Sequence, residues 1–253
     1  MGSNTINEND YVLIIAKEKK YLTKVEKGKV FNTKYGSIDL SSIIGRKWGT
    51  KIEEHIILAP GIEETILYGI DRRTQIVYPK DGFYIIQKLN IFSGKKVFEC
   101  GTGSGAFTIM LSYAVYPDGK IISFEKEERF YEIAKKNIDK FGKKEVVEIY
   151  NKDIEEAKEL WNEEYDALFI DLREPWEYIE IYYQILKSGG FIGFILPTAN
   201  QVSRLLEALQ KGFCNIEVCE NLQRFYKIVP ERFRPEDRMI GHTGYLIFAR
   251  KSE

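Results

Sequence analysis

The chain has 253 residues, with 37 Lys+Arg against 38 Asp+Glu, a formal net charge of −1. At 44% hydrophobic and 13% aromatic it is too apolar for a disordered or collagen-like chain. No apolar run approaches the roughly 20 residues of a membrane helix, so no membrane association is expected.

The polar start, Met1-Gly2-Ser3-Asn4-Thr5, has no secretory signal pattern. Three cysteines (Cys100, Cys214, Cys219) do not form a disulfide framework. Together these point to the cytoplasm. No Cys/His spacing suggests a zinc site, so no metal is expected.

Residues 1–70 read as a small β-rich, barrel-like domain. Tyr11–Ala16, Tyr21–Val25, Gly36–Leu40 and Lys51–Leu58 are short strand-like segments separated by Gly-containing turns. A short helix over Glu63–Gly69 follows.

From about residue 71 the texture changes to alternating helix and strand. Pro79 opens a helix through Leu89, with Asp81 in its first turn. Strands are predicted at Lys96–Cys100, Lys120–Phe124, Val146–Tyr150, Tyr165–Ile170 and Phe191–Leu196. Helices are predicted at Ala106–Ala114, Glu127–Phe141, Glu155–Leu160 and Trp176–Leu186, with another from the cap Thr198 to Gly212. Ile216–Val229 reads as one long extended segment and Gly244–Arg250 as a last strand. Strands separated by helices imply a doubly wound α/β sheet. The last two strands have no helix between them, which implies an antiparallel hairpin.

The strand Val97–Cys100 runs into Gly101-Thr102-Gly103-Ser104-Gly105 and then a helix that Ala106 and Phe107 open. Glycines allow a sharp turn and close approach of a ligand to the main chain. Glu125 ends the next strand, where a carboxylate accepts ribose hydroxyls. Asp153 and Asp171 end the third and fourth strands, on the edge where open α/β sheets bind ligands. The spacing is G-x-G-x-G, not the dinucleotide G-x-G-x-x-G, with Glu99 two residues ahead. It resembles the first motif of class I S-adenosylmethionine (SAM)-dependent methyltransferases.

Three further segments narrow the resemblance: Arg72-Arg73-Thr74-Gln75-Ile76-Val77-Tyr78-Pro79-Lys80-Asp81, Asp171-Leu172-Arg173-Glu174-Pro175-Trp176, and the tail Arg234–Lys251 with Arg238-Met239-Ile240-Gly241-His242-Thr243-Gly244-Tyr245. With them the chain resembles the tRNA (adenine-N1)-methyltransferase family of the TrmI/Trm61 type along nearly its whole length. Arg173 stands where family members often have Pro, so the shape of that loop is a departure.

The resemblance implies a class I methyltransferase domain over residues 71–253, SAM as cofactor, and a homotetramer. It implies methylation of the T-loop adenine at tRNA position 58, with 57 as a further target in some archaeal members. It places Gln75, Glu99, Gly101, Gly103, Ser104, Gly105, Ala106, Phe107, Glu125, Asp153 and Asp171 at the cofactor. Asp171 and Tyr78 are its catalytic candidates, Asp171 at the exocyclic amine of the target and Tyr78 stacking on a flipped base. Helix capping is the competing role for Asp153 and Asp171, and core packing for Tyr78.

Arg72, Arg73, Lys80, Arg224, Arg234 and Arg238 are candidate phosphate contacts. His55 reads as structural, and His242 is not needed as a base. Near-zero charge gives no sign of a DNA partner. Two rivals remain. An isoaspartyl-type protein-carboxyl methyltransferase would lack the Asp-x-x-x-Pro-Trp segment, and a non-catalytic tRNA-binding subunit would be expected to lose the glycine turn and Asp171.

Overall fold

The computed structural model describes residues 4–157 and 164–253. The end of the helix expected at Glu155–Leu160 lies outside the described residues. The chain divides into two compact units, Met1–Ile70 and Asp71–Glu253.

In the first unit, strands β1 (Tyr11–Ala16), β2 (Lys19–Lys24), β5 (Lys51–Ile52) and β6 (His55–Leu58) form an antiparallel sheet in the order β2-β1-β6-β5. Strands β3 (Val30–Thr33) and β4 (Gly36–Asp39) form a separate hairpin. The ladder is open, with β2 and β5 as its edges. Val12, Ile14 and Ala16 alternate along β1 and are fully buried, as one face of a half-covered strand requires. They pack with Ile6, Val25, Ile38, Leu40, Ile43 and Ile57. His55 is buried, with Nε2 2.9 Å from Thr33 Oγ1. A three-residue helix α1 (Ile62–Glu64) runs on into a π-helical turn, Thr65–Gly69.

The second unit is a seven-stranded sheet covered by helices. Its strands are β7 (Lys96–Cys100), β8 (Lys120–Phe124), β9 (Val147–Tyr150), β10 (Tyr165–Ile170), β11 (Leu186–Leu196), β12 (Phe213–Cys219) and β15 (Tyr245–Lys251). Their order is β12-β15-β11-β10-β7-β8-β9. The helices are α2 (Pro79–Lys88), α3 (Ala106–Val115), α4 (Glu128–Phe141), α5 (Ile179–Ile185) and α6 (Ala199–Leu209).

Strands β7 to β11 run parallel, and the apolar runs of the central strands β7, β8 and β10 are buried on both faces, while β9 is a partly exposed edge. The order reverses direction between β7 and β10. The fold therefore opens a crevice beyond the carboxyl ends of those two strands. The final strands pair antiparallel, as the missing crossover implied, but β15 inserts between β11 and β12 and leaves β12 at the edge.

Two elements differ from the reading of the sequence. A 3₁₀ turn, Pro175–Tyr178, precedes α5 and takes the first turn of the helix expected from Trp176. The extended segment after Ile216 leaves the sheet at Cys219. Asn221 holds it away from the ladder by donating to Lys80 O at 2.6 Å, while Lys80 Nζ donates to Asn221 O at 2.6 Å. The excursion carries a two-residue ribbon, β13 (Tyr226–Lys227) with β14 (Arg234–Pro235), and a 3₁₀ turn, Pro230–Arg232, between them. Among the described residues no helix is long and apolar enough to cross a membrane.

Candidate active site

The glycine turn is built by close approach. Gly101 has φ +91°, and a Cβ there would lie 2.2 Å from the carbonyl oxygen of Asp171. The Asp171 N–H donates to Cys100 O at 2.8 Å, so the ends of β7 and β10 are drawn together at this point. Only glycine permits that contact. The turn's own N–H groups are engaged internally: Gly101 and Thr102 donate to Phe124 O, Gly105 to Thr102 O, and Gly103 to Glu125 Oε2 at 2.8 Å. The glycines therefore act first by shape.

Glu125 leaves β8 and accepts from two backbone N–H groups, Gly103 and, at 2.9 Å on Oε1, Glu127. Each oxygen has a further lone pair for a ligand. Burial raises its pKa. A cavity of about 220 Å³ opens beside it, with Gly101, Phe124, Glu125, Asp153, Leu172 and Tyr178 among its walls. Asp153 takes the capping role weighed for it and also borders the cavity. Its Oδ1 caps the turn at Ile154–Glu156 by accepting from Glu155 N, its Oδ2 pairs with Lys126 Nζ at 2.9 Å, and it lines the cavity.

Glu99 sits beneath this floor, 1% exposed. Its Oε2 accepts from Thr108 Oγ1 and Ser123 Oγ, both at 2.6 Å, and Thr102 Oγ1 lies 2.6 Å from the Ser123 hydroxyl. Burial pushes Glu99 up to about 7, against the opposing effect of those two donors. Asp171 is likewise raised to about 7, first by the protein packed around its carboxyl and then by the charge on Glu125. The residue itself is exposed to solvent where the chain leaves β10, so water screens much of that shift and leaves its direction upward.

Ser104, expected at the cofactor, is a buried strut. Its hydroxyl lies 2.9 Å from Thr74 Oγ1 and accepts from Arg73 N. Asn137 completes the joint from α4. It donates to Ser104 O and Asp71 O, both at 2.9 Å, and accepts from Asp71 N at 3.0 Å. These contacts fasten the segment carrying Gln75 and Tyr78 to the glycine turn. Gln75 is exposed, and Tyr78 is the half-buried extended residue just before α2. Neither is among the walls of the cavity beside Glu125. Ala106 and Phe107 are buried at the start of α3, with the Phe107 ring 4.4 Å from that of Phe169.

The basic candidates separate. Lys80 is held internally, its ammonium meeting both oxygens of Asp81, Asn221 O and Thr243 Oγ1. Arg73 pairs with Asp71 and Arg234 with Asp237. Arg72, Arg224 and Arg238 are exposed. His242 spans two acceptors, with Nδ1 2.7 Å from Glu220 Oε1 and Nε2 3.0 Å from Pro197 O, and these contacts raise its pKa. Among the described residues no cluster of His, Cys, Asp and Glu is arranged to hold a metal ion.

In the sequence Asn137 is the one polar residue on the otherwise apolar stripe Phe130, Ala134, Ile138 and Phe141 of α4. Thr74, Thr108 and Ser123 gave no local signal, because their partners lie on other elements.

A family model described as "tRNA methyltransferase complex GCD14 subunit" matches residues 56–234. The chain is 31% identical over 269 residues to "tRNA (adenine(57)-N(1)/adenine(58)-N(1))-methyltransferase TrmI" of Methanocaldococcus jannaschii, covering 94% of each. It is 34% identical to "tRNA (adenine(58)-N(1))-methyltransferase catalytic subunit TRM61" of Candida albicans, covering 86% of this chain and 68% of that one. Among solved structures, the tRNA (m1A58) methyltransferase TrmI of Aquifex aeolicus superposes with a TM-score of 0.90 at 44% identity, covering 99% of this chain and 100% of that one. A Thermotoga maritima structure described as a SAM-dependent O-methyltransferase superposes with a TM-score of 0.92 at 40% identity, covering 99% and 96%.

Proposed function

The chain belongs to the GCD14 tRNA methyltransferase family, and from that premise we propose that it methylates N1 of the T-loop adenine at position 58 of tRNA, using SAM. The observation that carries the reading is the contact between Gly101 and Asp171. It holds a carboxylate at the switch point of the sheet, on the same edge as Glu125.

The residues present fit the cofactor. The glycine turn packs closely on Asp171, Thr74 and Ala134, and the open space beside it is the cavity walled by Glu125, whose carboxylate is braced by two backbone N–H groups with lone pairs to spare. Glu125 would hold the ribose hydroxyls, Asp153 would meet the adenine amino group, and the turn Gly101–Gly105 would shape the methionine end. SAM, when bound there, supplies an electrophilic methyl group.

Asp171 has little proton chemistry to perform, because N1 of adenine carries a free lone pair. Its carboxylate accepts a hydrogen bond from the exocyclic amine. Alkylation puts positive charge on the ring and that amine, so this bond strengthens toward the transition state and lowers the barrier. Tyr78 stacks on the flipped base. Among the basic candidates, exposed Arg72, Arg224 and Arg238 meet the RNA backbone.

The enzyme is read as a cytoplasmic homotetramer. The assembly reading is supported by the excursion between β12 and β15, which exposes Leu222, Phe225, Ile228, Val229, Phe233 and Ile240; Ile228 is 93% exposed. Exposed large apolar side chains concentrated in one segment are what an interaction face presents.

The test is labelled SAM with tRNA transcripts. Methylation is expected on the parent transcript and lost when adenine 58 is replaced. Equal labelling of both transcripts refutes the site assignment. Methylation of a small hydroxyl acceptor without RNA would instead favour the O-methyltransferase description of the Thermotoga maritima relative.

A further inference from the structure

A second cavity, of about 400 Å³, lies beside the first at the same edge of the sheet. Arg173, Glu174, Trp176, Thr198, Gln201 and Arg204 are among its walls. Arg173 and Glu174 also line the cavity next to Glu125, so they form the partition between the two.

The site is braced from within. Gln201 Nε2 donates to Arg173 O at 2.9 Å, tying the loop after β10 to the first turn of α6. Thr198 Oγ1 donates to Gln201 Oε1 at 2.7 Å, which fixes that amide's direction. The Arg204 guanidinium lies 5.5 Å from the centre of the Trp176 ring. Among the described residues, neither Arg173 nor Arg204 makes an ion pair. With Glu174 counted, the walls carry a net charge of +1.

We infer that this cavity is a second nucleotide subsite. It takes a nucleotide flanking the methylated adenosine, with its backbone phosphate on Arg173 and Arg204 and its base against the Trp176–Arg204 pair. The inference rests on the reading that Asp171 meets the target base. Arg173 is two residues from Asp171, so their Cα atoms are at most about 7 Å apart. A strand that delivers one base to Asp171 must therefore pass its neighbour over this partition. Two unpaired guanidinium groups match phosphate geometry, and a planar cation on an indole gives a platform on which a base stacks. An apolar protein segment would leave both cations unpaired, which disfavours a protein ligand.

The experiment compares the full-length parent with Arg173→Gln, Arg204→Gln and Arg204→Lys. It measures the transcript's Kd as a function of salt, the SAM Kd, kcat at saturating tRNA, and solution mass by light scattering. Each Gln variant is expected to weaken tRNA binding about 3–10-fold. Each should also flatten the slope of log K against log salt by about 0.7–0.9, one phosphate contact. For Arg204→Gln and Arg204→Lys, which lie outside the cavity beside Glu125, SAM Kd and kcat should stay within twofold. Arg204→Lys should keep the slope yet recover only part of the affinity, because an ammonium has no face to stack.

Parental Kd and slope in both Gln variants overturn the subsite. So does a drop in solution mass that accounts for the weaker binding, since the cavity would then face a second copy of the chain. A parent that methylates adenine 58 while the variants bind normally removes this inference alone. A parent that neither binds nor methylates the transcript removes both readings.

Discussion

Replacing Gly101 by Ala tests the close approach of β7 and β10. Two costs apply. Gly101 has φ +91°, and an L-residue in left-handed backbone loses about 1–2 kcal/mol. The added Cβ would also lie 2.2 Å from the Asp171 carbonyl oxygen, a backbone atom that must retreat by about 0.8 Å to restore a 3.0 Å separation. Overpacking of this kind costs about 1–3 kcal/mol. Gly94 is the control, because it has φ +87° and nothing within 4 Å of a Cβ. It lies in the same compact unit and reports on the same unfolding transition. Gly94→Ala should carry only the backbone cost, while Gly101→Ala should carry both, about 2–5 kcal/mol in urea unfolding. Displacing Asp171 by nearly an ångström should also cost about 100-fold in kcat/KM. Equal destabilisation by the two substitutions, or parental turnover in Gly101→Ala, would refute the argument.

Asp171→Asn keeps the size of the side chain but removes its charge. It should lower kcat about 100-fold or more, and loss of only a few-fold would remove Asp171 from its role. Because the carboxylate must be ionised and its pKa is raised, the parent's rate should climb as pH rises from the ordinary carboxylate range toward neutrality and then level; a rate that falls over that range contradicts the assignment. Glu99 is raised from 4.5 to about 7 in the folded state, so the fold binds the extra proton and loses stability as pH rises between those values. At about 1.4 kcal/mol for each pH unit, ionising Glu99 costs about 3 kcal/mol by pH 8. Glu99→Gln should therefore flatten the change in urea midpoint between pH 5 and pH 8, and an unchanged pH dependence would refute it. Asn137→Ala removes three hydrogen bonds at the joint between α4 and the glycine turn, and should cost about 3 kcal/mol and weaken SAM binding; a parental Tm with parental SAM affinity would show that the joint is dispensable. Ile228→Glu with Phe233→Glu should reduce the solution mass below that of a tetramer, and an unaltered mass would place the subunit contact elsewhere.

The central sheet was legible because parallel strands are buried on both faces. Val97-Phe98 and Ile121-Ile122 read as apolar runs whatever their partners. The Gly101–Gly105 turn was legible because its three glycines hold positive φ, a backbone that glycine adopts without steric cost. What local reading missed depends on partners distant in the chain. Asn137 looked like a flaw in an apolar stripe until Asp71 and Ser104 came within bonding distance. The extended segment after Ile216 was read as one strand, because nothing local reveals that Lys80 and Asn221 exchange hydrogen bonds and pull it off the sheet.

The charge count shows the same limit from the other side. A net charge of −1 seemed to leave little for a polyanion. Lys80, Arg73 and Arg234 have carboxylate partners within the chain, so part of the positive charge is spent on holding the fold. Arg173 and Arg204, which no motif singled out as phosphate contacts, line one cavity without such partners. A cation's availability to RNA is thus a tertiary property. It is set by which carboxylates the fold brings alongside, and a sum over the chain does not contain it.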